Sequence, residues 1–224
     1  EIQPNPQSKY LYYCDNETVH GVEFSQIPKV SSETILVADM SSNFLSKPVD
    51  VTQYGVIFAG CQKNAGIAGL VVVIIRKDLL AIEKRQEVPS ALNYSVTAQG
   101  QSVVNTPPTF PIYVSGLVFK WILAEGGVAA MYERSLTKSG MLYQYLDEST
   151  FYCSKVEKAA RSRMNVPFFI TGDNGKALEE LFVKEATKQG LVQLKGHASV
   201  GGLRASLYNA ISVEETESLV AFMR

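Results

Sequence analysis

The chain has 224 residues, 46% of them apolar, which is enough for a packed core and too apolar for a disordered or collagen-like protein. Its 21 basic and 22 acidic side chains leave a formal charge of −1, which excludes the broad positive field used in non-specific nucleic-acid or membrane-surface binding and favours a small-molecule partner. The three cysteines, Cys14, Cys61 and Cys153, are odd in number and widely spaced, so neither a disulfide framework nor a metal site is expected, and a reducing, cytoplasmic compartment is.

A strand at Tyr10 to Cys14 opens the chain with nothing ahead to pack on it, so the chain is expected to be the later part of a longer protein. Further short runs rich in β-branched and aromatic residues follow at Thr34 to Ala38, Gly55 to Ala59 and Leu70 to Ile75. Their apolar residues are consecutive rather than alternating, which predicts strands covered on both faces in a parallel or mixed sheet of an α/β domain. The longest apolar run, Gly69 to Ile75, falls well short of the roughly 20 residues of a membrane span.

A polar, ambiguous stretch runs from Glu83 to Gln101 and leads to the helix-breaking Pro107-Pro108. Beyond it, Ile112, Leu117, Val118, Trp121 and Ile122 share one face of a predicted helix that ends before Gly126-Gly127, and a second helix covers Val128 to Leu146. A domain boundary is placed there, giving domains 1–126 and 127–224. The second domain is read as strands at Phe151 to Ser154, Asn165 to Ile170, Leu191 to Lys195 and Leu203 to Tyr208, with helices from Gly175 to Gln189 and from Val213 onward. Ser212 and Glu215 have the spacing of a capping box for the last helix.

The segment Gly60-Cys61-Gln62-Lys63-Asn64 places a lysine in a small-residue turn just after a buried strand. Desolvation there disfavours the ammonium and frees the amine for a Schiff base, although Lys63 taken alone reads equally as a lysine snorkelling from a strand end. Asp39 ends the preceding apolar strand, where a carboxylate needs a cationic or hydrogen-bonding partner. A protonated pyridine nitrogen is one such partner, and the backbone of the Ser41-Ser42 loop is another. An acid and a lysine at the carboxyl ends of neighbouring strands mark the ligand edge of an open α/β sheet.

Four motifs in order, Asn16 to Phe24, Ala38 to Phe44, Gly60 to Asn64, and Lys195-Gly196-His197 with Gly201 to Ala210, give the chain a resemblance to the phosphoserine aminotransferase family over nearly its whole length. The resemblance implies a pyridoxal 5′-phosphate-dependent, fold-type I α/β enzyme. The chain would contribute the later part of the large mixed-sheet domain and a small C-terminal α/β domain. It implies amino exchange between 3-phosphohydroxypyruvate plus glutamate and phosphoserine plus 2-oxoglutarate, in serine biosynthesis, by a homodimer.

By motif position, Lys63 would carry the Schiff base, Asp39 would meet the ring nitrogen, Thr18 the ring's phenolic oxygen region and Gln62 the cofactor phosphate. Asn105 and Thr106 would reach the cofactor phosphate of the neighbouring subunit. Arg204 would take the substrate α-carboxylate and His197 would lie beside the substrate phosphate. His20 is read as structural or supporting, and Cys61 as a small buried filler. The chain departs from the family at Ala198, where an arginine is common, and lacks the front stretch that carries a ring-stacking aromatic, a phosphate-binding helix start and a further arginine. Two other readings accompany this one. The first is a catalytically incompetent fragment or dimerising module, and the second is a related fold-type I enzyme such as an alanine-glyoxylate transaminase or cysteine desulfurase.

Overall fold

The computed structural model describes residues 4, 5, 7–81 and 88–224, so the first part of the polar stretch from Glu83 lies outside the described residues. In chain order the strands and helices are β1 (Tyr10–Cys14), β2 (Asn16–Glu17), β3 (Val22–Glu23), β4 (Ile35–Asp39), β5 (Val56–Gly60), β6 (Val71–Ile75), α1 (Lys77–Leu80), α2 (Tyr94–Gln99), α3 (Thr109–Ala124), α4 (Gly127–Glu148), β7 (Tyr152–Cys153), β8 (Asn165–Ile170), α5 (Gly175–Lys188), β9 (Leu203–Ser206) and α6 (Val213–Met223).

One sheet has the order β1-β4-β5-β6, with β1, β4 and β5 parallel and β6 antiparallel to β5. The register pairs Cys14 with Asp39 and Asp39 with Phe58, so three carboxyl ends finish along one edge. This is the mixed α/β sheet expected from the apolar runs, with one correction. Leu36, Ala38 and Ile57 bury one face with Tyr13, Met40 and Tyr54, whereas Tyr10 and Tyr12 on the other are 61% and 53% exposed. Val37, Val56 and Phe58 on that second face are half-buried, so among the described residues it is only partly covered and consecutive apolar residues here produce alternating burial.

The second sheet, β7-β8-β9, is antiparallel throughout. Val166, Phe168, Leu203 and Ala205 pack with Leu142 and Leu146 of α4, Phe182 of α5, and Leu219 and Val220 of α6. Helix α6 starts on the expected capping box, with Ser212 Oγ accepting from Glu215 N and Glu215 Oε2 accepting from Ser212 N. The strand expected at Leu191 to Lys195 does not form and leaves one bridge between Lys195 and Leu203. Gln193 takes a left-handed φ of 62°, which turns the chain out of the extended line.

Helix α3 starts directly after the double proline and ends before Gly126, as the sequence indicates. Its burial does not follow the expected stripe. Of the five predicted face residues only Ile122 is buried, and Ile112 and Leu117 are exposed. The helix is apolar all round, and among the described residues only a narrow strip of it is covered. No single helix among them is long and apolar enough to cross a membrane.

Helix α4 inserts Lys138 into the core, 1% exposed, where Nζ donates to the carbonyls of Leu207, Tyr208 and Ile211 at 3.1, 2.8 and 2.7 Å. These bonds fix the turn after β9. Burial pulls the amine's pKa down to about 8, against the attraction of Glu215. Because the unfolded chain keeps the ordinary value of about 10.4, it binds more protons than the folded chain between these values, and raising the pH through that window favours the fold. Unfolding in urea at pH 8 and pH 10 should therefore show wild type gaining on Lys138→Met by about 3 kcal/mol at most. A pH-independent difference contradicts this.

Candidate active site

The ligand edge of the first sheet meets the open face of the second at the turn between β2 and β3. That turn needs Gly21, which has a φ of 71° and packs so closely on β8 that a Cβ would collide with Pro167. The close approach sets Thr18 between the two sheets. Its Oγ1 accepts from Lys63 Nζ at 2.6 Å, and its carbonyl accepts from Arg204 Nη1 at 3.4 Å. One residue thus touches the lysine of the β5 turn and the arginine of β9, which are far apart in sequence.

The Lys63 turn is pinned on both sides. Cys61 is fully buried, and Ala65 N donates to its carbonyl at 3.0 Å. Asn64 donates Nδ2 to Phe44 O at 2.7 Å and accepts from Asn209 N at 2.8 Å, while Asn209 Nδ2 bonds Leu45 O at 2.9 Å. Asn209 lies just beyond β9, so one asparagine pair ties the lysine turn to the strand of Arg204. The Gln62 side chain is exposed and folds back over Gly60, where a Cβ would come within 2.6 Å of Gln62 Oε1.

Asp39 ends β4 with Oδ1 accepting from Ser41 N at 2.8 Å, the loop-capping contact open to it, while Ser41 Oγ accepts from Gly60 N at 3.0 Å. These bonds hold the ends of β4 and β5 together. Cys14 stands opposite Asp39 and its thiol donates to Asn16 O at 3.2 Å. Burial pushes that thiol's pKa up, with the charges of Asp39 and Glu17 adding to the shift and Lys63 opposing it, so the acid and the lysine act on one small region.

Three polar groups at this edge have bonding capacity left over. Lys63 is held by a hydroxyl rather than a carboxylate, Asp39 Oδ2 has no protein partner among the described residues, and Arg204 Nε is buried without an acceptor. An amine, a carboxylate and a guanidinium so arranged suit a small anionic molecule with a protonated ring nitrogen and a carbonyl carbon open to an amine. A cleft of about 350 Å³ lies at the lysine, with Gly66, Val118 and Trp121 in its wall.

The other sequence candidates sit apart within one copy of the chain. His197 is exposed, with Nδ1 2.7 Å from Ser199 Oγ, in the loop leading to β9. Asn105 and Thr106 are exposed just before α3. His20 is also exposed, 3.0 Å from Glu17 Oε2.

Beneath the site lies a polar network that the sequence reading missed. Asn16 Nδ2 donates to Ser42 Oγ and Asn165 Oδ1, and Asn16 Oδ1 accepts from Ser162. Beside it, buried Asp15 and Glu23 share Asn43 Nδ2 and face Lys47 and Arg163. Asn64 and Asn209 fell within the recognised motifs, where a polar residue beside buried neighbours was the available signal.

The chain matches the aminotransferase class-V family over residues 2–219. It is 52% identical to phosphoserine aminotransferase of Drosophila melanogaster over 221 residues, covering 98% of this chain and 60% of the relative. Among solved structures it is similar to PLP-bound phosphoserine aminotransferase from Trichomonas vaginalis, with TM-score 0.90, 43% identity, and 96% of this chain and 60% of that one covered. The enzyme from Bacillus circulans subsp. alkalophilus gives TM-score 0.94 at 42% identity, with 99% and 60% covered. The chain spans about 60% of the length of the curated relatives it matches.

Proposed function

The chain belongs to the aminotransferase class-V family, and from that membership we propose that it is the lysine-bearing part of a pyridoxal 5′-phosphate-dependent phosphoserine aminotransferase. The observation that carries this reading is Thr18, bonded at once to Lys63 and to an arginine with an unspent buried nitrogen. When bound, the cofactor supplies the electron sink that makes the amino acid's α-proton labile. This chain's residues do the rest. Lys63 Nζ would hold the cofactor and serve as the base that moves the α-proton, and Asp39 would face the ring nitrogen and favour its protonated form.

Thr18 orients the amine and would hold the ring's phenolic oxygen, and Gln62 would bind the cofactor phosphate. Arg204 takes the substrate α-carboxylate through its forked donors. His197 lies beside the substrate phosphate. Asn105 and Thr106 sit away from Lys63 in one copy, which fits a role toward the cofactor phosphate of a second copy in a homodimer; the open apolar surface of α3 beside them is in keeping with a partner. Residues 1–126 and 127–224 are assigned to the large and small domains, and the enzyme to the cytoplasm.

The substrates follow as 3-phosphohydroxypyruvate and glutamate, exchanged for phosphoserine and 2-oxoglutarate. Steady-state assays on the cofactor-loaded protein should give O-phospho-L-serine with 2-oxoglutarate a kcat/KM at least about 100-fold above L-alanine with glyoxylate, a preference that two charge-assisted contacts can supply. A higher value for alanine with glyoxylate would mean a related transaminase with another substrate.

A further inference from the structure

Helix α4 carries a buried cation that the candidate site does not use. Among the described residues Lys138 makes no ion pair, and its charge is met by the carbonyls of Leu207, Tyr208 and Ile211, with Glu215 of α6 attracting it and Arg134 of α4 repelling it from further off. An ammonium has three donors and no acceptor, and here each carbonyl takes one bond. A methionine would fill much the same space without the cost of burying a charge, so packing alone does not account for a lysine. What the charge does is gather residues 207–211, the turn between β9 and α6. At the start of that turn Leu207 N donates to Met164 O at 2.7 Å, and within it Ile211 N donates to Tyr208 O at 2.9 Å.

Asn209 lies in the middle of that turn and reaches out of it. Its N donates to Asn64 Oδ1 at 2.8 Å and its Nδ2 to Leu45 O at 2.9 Å, while Asn64 Nδ2 donates to Phe44 O at 2.7 Å. Leu45 has a φ of 61°, a left-handed backbone that a leucine keeps only where its surroundings hold it. Asn64 follows Lys63 directly in the chain. A continuous line of hydrogen bonds therefore runs from Lys138 through the 207–211 backbone and Asn209 to Asn64 and the lysine turn. Arg204 is held differently, by the pairing of β9 with β8, where Pro167 is directly across from it. Loosening the turn leaves that pairing in place.

We infer that Lys138 is a positioning residue for Lys63: by gathering the carbonyls of the 207–211 turn it holds Asn209 against Asn64, and so fixes where the Lys63 amine stands beside Thr18. The inference rests on the transaminase reading for the chemistry of that amine, and goes beyond it by assigning a part to a buried residue of α4. A displacement of about 1 Å in a reacting group can cost on the order of 10²-fold in rate. Because the Arg204 strand keeps its own support, the loss falls on turnover and not on the hold of the substrate carboxylate.

Amide hydrogen exchange and steady-state transamination test this on the protein that carries this chain, as wild type, Lys138→Met, Lys138→Gln, Asn64→Ala and the double variant Lys138→Gln with Asn64→Ala. Lys138→Gln keeps two amide donors and serves if the methionine variant does not fold. Without cofactor, residues 60–66 of each Lys138 variant should exchange about tenfold faster relative to β8, whose amides report global stability. With cofactor, kcat should fall by about tenfold while KM for the amino acid stays within about twofold, and the double variant should do no worse than Asn64→Ala. Faster exchange confined to residues 207–211, an equal rise throughout β8, an unchanged kcat, or a further tenfold or so lost in the double variant overturns the inference and leaves the transaminase reading standing. A wild type with no transaminase activity overturns that reading instead, and exchange at residues 60–66 then decides the coupling by itself.

Discussion

Replacing Lys63 with alanine is expected to lower transamination by about 10³-fold or more in the protein that carries this chain, because one side chain is assigned both the cofactor attachment and the proton transfer. The fold should survive. Lys63 is half-buried and among the described residues bonds only Thr18, while the turn around it is held by Cys61, Asn64 and Asn209. Thermal unfolding of the variant without cofactor should stay within about 1 kcal/mol of wild type, as expected for a residue outside the packed core. Loss of activity with unchanged stability identifies a chemical role. Retained activity, or activity lost only through unfolding, contradicts the assignment.

The second large effect is on stability. Asp15 and Glu23 are 2% and 6% exposed, and their charges are balanced by Lys47, 3.0 Å from Asp15, and by Arg163, whose Nη2 is 2.5 Å from Glu23. Arg163 also donates Nη1 to Ser135 Oγ at 2.7 Å and its backbone N to Glu23 Oε2 at 3.0 Å. Arg163→Leu leaves two buried carboxylates facing one lysine, which should cost about 3–5 kcal/mol in urea unfolding. Adding Glu23→Gln should recover much of that loss, since the excess negative charge is then removed.

An exposed pair makes the contrast. Lys188 and Glu185 lie 2.7 Å apart with side chains 59% and 43% exposed, and Lys188→Ala should change stability by less than about 0.5 kcal/mol. A loss under about 1 kcal/mol for Arg163→Leu would show that water reaches the cluster and that it does not anchor the Thr18 hairpin.

These two predictions draw on different kinds of legibility. The strands of the first sheet and β8 could be read from runs such as Ile35-Leu36-Val37-Ala38, because β-branched and aromatic density survives without tertiary context. The last helix could be read from its capping box. The β2–β3 hairpin could not, since two strands of two residues are too short to show a period, and its hold on Thr18 comes from Gly21 packing on β8, far along the chain. Leu191 to Lys195 has strand composition, but the left-handed Gln193 overrides it.

The candidate site divides along the same line. Lys63 and Asp39 announce themselves locally, as polar residues at the ends of apolar strands. Arg204 and Thr18 gain meaning only through the resemblance, because their contact spans the whole chain. The buried network is harder still: Asn16 meets Asn165 across a sequence separation of 149, and nothing in either neighbourhood signals the other.

The central claim is that Lys63 is the residue that holds the cofactor. The direct measurement is borohydride reduction of the protein with pyridoxal 5′-phosphate, followed by mass spectrometry of the digested chain. The account predicts a stable phosphopyridoxyl adduct on the peptide containing Lys63, formed at one equivalent of cofactor and absent from Lys63→Ala. An adduct spread over surface lysines, or one that persists in Lys63→Ala, would contradict it.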